Sequence, residues 1–201
     1  MQLTKNNVLK LERELDNKKR KFIALLAPSF VADFEYPAII FLLKKLGFDK
    51  IVELTFGAKM INREYHGLLS LEKKDPRKKE TKLVISSVCP GIVNFIKEKY
   101  PQFEKNLIPV DSPMIATAKI CKKFFPKHKV VFIAPCGYKK IESENSKYVD
   151  YVLDYIELRK LLDKKGLELD RNNKTGMMFD RFYNDYTKIY PLSGGLTKTA
   201  H

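Results

Sequence analysis

Apolar residues at Val8, Leu11 and Leu15 recur at helical spacing in an otherwise charged segment, which predicts a short docking helix within residues 1–20. The next apolar run, 22–27, shows no alternation and follows four basic residues. A continuous run of that length fits a parallel strand covered on both faces. A helix is predicted over 37–46, closing at Gly47, then a strand over 50–56 and a helix over 58–71. The polar stretch 73–80, centred on Pro76, reads as a boundary between two lobes.

The rhythm then repeats. Residues 83–88 are predicted as a strand running into Cys89-Pro90-Gly91, and a helix follows with Ile92, Val93, Ile96 and Tyr100 predicted on its inner face. Ser112 and Pro113 open another helix as cap and first residue, with Met114, Ala118, Cys121 and Phe125 on one side. A strand over 129–134 ends in Pro135-Cys136-Gly137. A short strand over 151–153 leads into Asp154 and Glu157, which have capping-box spacing, and the helix they start stops at Gly166. Beyond Gly166 the pattern fades, with Gly194-Gly195 reading as a turn. Alternating strands and helices predict an α/β fold of mostly parallel sheets flanked by helices, in two lobes, with residues 21–201 as one domain.

Composition narrows the classes. In 201 residues, 44% hydrophobic and 31% charged, there is enough apolar material for a core, and the longest apolar stretch, 37–43, is too short for a membrane span. A formal charge of +14 would favour a polyanionic partner if it formed a patch, but lysines are spread from Lys5 to Lys198. The basic runs 18–21 and 77–79 lack interleaved aromatics, so nucleic acid is not expected as a partner. Three cysteines, an odd number, point to a reducing compartment, and with no targeting segment the expectation is a cytoplasmic protein without a membrane partner.

Candidate chemistry gathers where three predicted strands end: at Ala27-Pro28-Ser29, at Val88-Cys89-Pro90-Gly91 and at Ala134-Pro135-Cys136-Gly137. In a parallel sheet these carboxyl ends share an edge, where α/β proteins place ligands. Cys89 and Cys136 are therefore expected to converge on a site, although they form no close-spaced metal motif. Cys121 falls on the apolar side of a helix and is expected in the core. His66, His128 and His201 have no ligand-spaced partner. Lys139 and Lys140 follow Cys136 closely, as a solvated helix start or as cations beside a thiolate or an anionic ligand.

Taken together, Ser86-Ser87-Val88-Cys89-Pro90-Gly91 with Val93-Asn94-Phe95, and Pro135-Cys136-Gly137-Tyr138-Lys139-Lys140-Ile141-Glu142, resemble the large-subunit catalytic domain of iron-only (FeFe) hydrogenases. Ala27-Pro28-Ser29, Gly47-Phe48-Asp49, Phe56-Gly57-Ala58, Ser112-Pro113 and Gly194-Gly195 match in the family's order. The resemblance implies that Cys89 and Cys136 are two of four ligands to a 4Fe-4S cluster. It also implies that Lys139 is a cofactor-contacting lysine and that Ala27, Pro28 and Ser29 line the cofactor pocket. The other two ligands belong to a cysteine- and glycine-rich segment absent from this sequence, so the ligand set is incomplete.

The departures shape the functional expectation. Where the family carries a proton-relay cysteine this sequence has Val88, and Tyr65 and Leu68 stand at acidic relay positions. Ala134-Pro135 replaces a methionine. These changes, with Ser112 to Ala116, resemble a divergent hydrogenase-like branch implicated in redox sensing or regulation. The expectation is an iron–sulfur domain of a redox or sensory protein that does not evolve H2 by itself, with a two-iron centre left open. The resemblance implies a fragment or a reduced member, with a ferredoxin-type cluster domain or the missing cysteine-rich segment as the expected partner. The alternatives are a cofactor-free basic scaffold and a piece of an active hydrogenase.

Overall fold

The computed structural model describes residues 5–73, 83–168 and 176–180. In chain order its elements are α1 (Lys5–Leu15), β1 (Lys21–Leu26), α2 (Ala38–Leu46), β2 (Lys50–Glu53), α3 (Thr55–Lys73), α4 (Pro90–Lys99), α5 (Pro113–Phe124), β3 (His128–Ala134), α6 (Tyr138–Glu144), β4 (Tyr151–Asp154) and α7 (Tyr155–Lys164). The strands form one parallel sheet in the order β2-β1-β3-β4. The chain steps outward from β1 to β2, returns through α3, α4 and α5 to the other side of β1, and steps outward again from β3 to β4. Strand order therefore reverses between β1 and β3, which opens a crevice at their carboxyl ends.

The unbroken apolar run of β1 divides between two cores. Phe22, Ala24 and Leu26 pack with Leu11 and Leu15 of α1 and with the buried sides of α2 and α7. Ile23, Leu25 and Ala27 pack on the opposite face with Met114, Ile115, Ala118 and Cys121 of α5. A strand buried on both faces has no solvent side to alternate with, which is why its sequence is continuous. Leu11 and Leu15 of α1 are buried in the first of these cores, and ion pairs from Glu12 to Lys164 and from Asp16 to Lys165 tie the helix to the end of α7.

The local signals hold in most places. Gly47 closes α2 at φ 110°, and a Cβ there would meet the Leu15 carbonyl oxygen at 2.9 Å, so both backbone and packing require glycine. Ser112 Oγ caps α5 by accepting from the Ile115 amide, and Asp154 and Glu157 complete their reciprocal capping box. The second strand ends earlier than predicted: Thr55 already starts α3, so Phe56 is helical.

The segment between α3 and α5 departs from expectation. Residues 83–88 do not form a strand. They make a single bridge, Ile85 to Leu107, with hydrogen bonds from the Ile85 amide to the Asn106 carbonyl and from the Ile108 amide to the Ile85 carbonyl. Among the described residues there is one sheet, and 83–112 packs beside it without another. α4 consequently has little to bury against. Ile96 is its one buried residue, while Ile92 and Tyr100, predicted to face inward, are 48% and 45% exposed. The lobe boundary near 73–80 and the turn at Gly194-Gly195 lie outside the described residues, save for Lys73 itself. No helix among the described residues is long and apolar enough to cross a membrane.

Candidate functional site

The crevice is built from the segments that leave β1 and β3. Beyond β1 the ladder continues for one residue, with the Ala27 amide donating to the Ile133 carbonyl at 3.0 Å, and the chain then turns through a 3-10 helix, Pro28–Ala32. Ala27 and Pro28 are buried and Ser29 is half-buried. The Tyr155 hydroxyl, at the start of α7, lies 2.8 Å from Ser29 Oγ and 3.3 Å from the Ala27 carbonyl oxygen. A phenol has one proton to give. With that proton on the Ala27 carbonyl, Ser29 donates to Tyr155 and keeps its acceptor lone pairs for the crevice. Burial pushes the Tyr155 phenol up to about 12.

Beyond β3 the chain runs through Pro135 and Cys136, both exposed, into α6. Cys89 is also exposed and occupies the cap position of α4 without a side-chain capping bond. It does not follow a strand of the sheet, so the expectation that both cysteines sit at strand ends is corrected. Contacts between α4 and α6 bring the Cys89 segment alongside. Lys139 Nζ donates to the Val88 carbonyl oxygen at 2.9 Å and pairs with Glu142 Oε2 at 2.6 Å, and the Tyr138 ring comes within 3.1 Å of where a Gly91 Cβ would stand. Lys140 turns away to Glu157, at 2.5 Å, and Asp154, at 3.6 Å. Each lysine thus already has a carboxylate, one on the crevice side and one on the α7 side.

The wall behind Cys89 is apolar. Val88 packs with Ile61, Tyr65, Ile108 and Ala116. The buried Tyr65 hydroxyl accepts from the Ser87 amide at 3.0 Å and meets Ser86 Oγ at 3.2 Å, which anchors the loop before Cys89 to α3. Ser87 Oγ donates to the Ile108 carbonyl at 2.5 Å. Position 65, matched in the sequence only to a relay position, thus has an anchoring role here.

The remaining candidates fall elsewhere. Cys121 is buried on the sheet side of α5, and burial pushes its thiol up to about 12. His128 starts β3, at the sheet edge opposite the crevice, where burial lowers its pKa and its ring packs against Phe125. His66 is exposed, and His201 lies outside the described residues. Sequence reasoning did not single out Tyr155. It also missed Glu53, a buried carboxylate at the end of β2 within 3.3 Å of Thr55 Oγ1.

Exposed thiolates are soft ligands suited to an iron–sulfur cluster. Among the described residues no three His, Cys, Asp or Glu side chains group to hold a metal ion. Two exposed cysteines fit two corners of a four-thiolate cubane and not four.

Comparison with known proteins gives this architecture a lineage. Residues 20–201 match the family model described as iron only hydrogenase large subunit, C-terminal domain. Iron hydrogenase 1 of Clostridium pasteurianum is 28% identical over 178 residues, 79% of this chain and 30% of that protein. The NADP-reducing hydrogenase subunit HndD of Solidesulfovibrio fructosivorans is 27% identical over 179 residues, with the same shares. The chain thus spans about a third of the length of these relatives. Among solved structures, FeFe-hydrogenase HydA(deltaEFG) superposes with TM-score 0.74 at 19% identity, over 89% of this chain and 50% of that one. A variant of FeFe-hydrogenase HydA1 from Chlamydomonas reinhardtii superposes with TM-score 0.72 at 20% identity, over 81% and 48%. With a family match from β1 onward and the same parallel α/β architecture, this chain belongs to the iron-only hydrogenase large-subunit family, C-terminal domain.

Proposed function

We propose that this domain holds a 4Fe-4S cluster through Cys89 and Cys136, within a redox or sensory protein, and that it does not evolve H2 by itself. The observation that carries the reading is the pair of exposed thiols on segments joined by Lys139, beside the crevice where strand order reverses. The remaining thiolates are assigned to a polypeptide outside this sequence, a cysteine-rich segment or a ferredoxin-type cluster domain. Such a cluster would supply one-electron transfer. This chain's own contribution is two soft ligands, a dry wall at Val88 and Tyr65, and a rigid floor at Ala27, Pro28 and Ser29.

The expectation of no H2 evolution rests on proton supply. Val88 has no titratable group, and the Tyr65 hydroxyl is already engaged with the loop at Ser86 and Ser87. Nucleic acid is not proposed as a partner, because the basic runs 18–21 and 77–79 lack interleaved aromatics.

The test is anaerobic reconstitution with iron and sulfide in the presence of a two-cysteine donor peptide, followed by iron and sulfide analysis and visible absorption. Incorporation is expected for the unaltered chain and for Cys121→Ser, and loss for Cys89→Ala and for Cys136→Ala. Equal incorporation in all four overturns the ligand assignment. H2 evolution by the reconstituted chain with Val88 intact would overturn the statement on proton supply.

A further inference from the structure

We infer that Lys139 is a positioning residue: a latch that holds the backbone just before Cys89 against α6 and so sets the spacing between the Cys89 and Cys136 thiols. This deepens the proposed function, on whose two cysteines it acts. Three observations carry it. First, Lys139 Nζ bridges the Val88 carbonyl oxygen at 2.9 Å and Glu142 Oε2 at 2.6 Å, joining residues 51 positions apart in the chain. Second, the loop 86–88 has no sheet to hold it, since its ladder contact is the single bridge at Ile85. Its position depends on side-chain bonds: Tyr65 from the α3 side, Ser87 Oγ to the Ile108 carbonyl, and Lys139 from the α6 side. Third, the latch acts next to both thiols. Val88 directly precedes Cys89, and Lys139 lies three residues beyond Cys136, in the first turn of α6.

The chemistry suits the role. A carbonyl accepting from an ammonium makes a charge-assisted bond, roughly twice as strong as one between neutral groups. Glu142, three residues further along α6, neutralises the ammonium and fixes its direction, so the lysine points across to the neighbouring segment instead of into solvent. With its side chain only 17% exposed, the pair is shielded from much of the screening that weakens surface ion pairs. Tyr65 and Ser87 hold the loop on the side of α3 and Ile108, and Lys139 is its tie to α6, so removing Lys139 frees the α6 side.

The test needs no cluster, so its failure and the failure of the iron–sulfur reading are separate. In the metal-free, reduced chain, Cys89 and Cys136 are cross-linked with dibromobimane, which bridges only thiols held close together, and each thiol's single alkylation rate is measured alongside. Cys121 does not compete, because it is buried and its thiol is pushed up to about 12. Lys139→Met is expected to slow the cross-link on the order of tenfold while leaving single alkylation unchanged, and Lys139→Arg to restore most of the rate. A wild-type cross-linking rate in Lys139→Met overturns the inference, and so does the absence of any cross-link in the unaltered chain. So does an equal fall in single alkylation, which would mean a change of reactivity instead of spacing. Should Lys139→Met fail to fold, Glu142→Gln carries the test. It leaves the ammonium in place without its anchor and is expected to slow the cross-link about threefold, and an unchanged rate there overturns the proposal.

Discussion

The hydroxyls of Tyr155 and Ser29 meet at 2.8 Å across 126 positions of sequence, tying the start of α7 to the turn that leaves β1. Tyr155 is buried, and its hydroxyl also reaches the Ala27 carbonyl oxygen, so it closes the crevice floor from below. Tyr155→Phe keeps the ring and removes both bonds. Urea unfolding is expected to show a loss of about 1–2 kcal/mol, with a smaller loss for Ser29→Ala, where Tyr155 keeps its bond to Ala27. Equal stability in all three proteins would show that the hydroxyl does not hold the floor.

The same tyrosine predicts an alkaline limit. Burial pushes Tyr155 up to about 12. Tyr151 is also raised to about 12, first by burial and then by the hydrogen bond and charge of Glu14. The ordinary phenol value is 10.0, so between 10 and about 12 the unfolded chain releases protons that the folded chain retains. Stability is therefore full below pH 10 and falls as pH rises through about 12. Thermal unfolding followed across that window should show a steeper decline for the unaltered chain than for Tyr155→Phe.

Glu14 governs the opposite limit. Burial alone would raise its carboxyl, but hydrogen bonds from Lys129, Arg20 and Tyr151 outweigh that and hold it at about 2, against an ordinary 4.5. Its contribution to docking α1 is present above 4.5 and is lost as pH falls toward 2. In a plot of unfolding temperature against pH, Glu14→Gln should flatten the acid limb. An acid limb of unchanged slope would place the acid sensitivity on other carboxylates.

Thiol labelling separates the cysteines. Cys89 and Cys136 are expected to react with iodoacetamide in the native protein, and Cys121 only after denaturation, as read by peptide mass. Native labelling of Cys121 would contradict its place beneath the sheet.

Gly57 tests the approach of α3 to α5. A Cβ there would stand 1.9 Å from Thr117 Oγ1 and 2.8 Å from the Pro113 carbonyl oxygen. Gly57→Ala should destabilise by about 2 kcal/mol or more in chemical denaturation. Adding Thr117→Ala should recover only part, since the backbone contact remains.

Much of the fold is legible in the chain. The two-sided run of β1, the caps at Ser112 and Asp154 and the stop at Gly47 depend on neighbours a few residues away, and each element forms where those signals place it. The misreadings at 83–88 and at Ile92 share one cause. An apolar run becomes a strand, and an apolar stripe an inner face, only where a sheet lies beneath, and no local signal reports that sheet.

The site divides in the same way. Cys89 and Cys136 stand out in sequence because prolines and glycines mark their turns, and Cys121 is recognisable as core from its helical position. Neither Tyr155 beneath Ser29 nor Tyr65 on the Ser87 amide can be read from the chain, because each joins residues far apart in sequence. Element type follows from backbone preferences and burial period, which are local. The course of Lys139 toward Val88 and Glu142, and of Lys140 toward Glu157 and Asp154, follows from how α4, α6 and α7 pack around the reversal between β1 and β3. Helix geometry points two adjacent lysines in different directions, and that packing decides that one meets Val88 and the other Glu157 and Asp154.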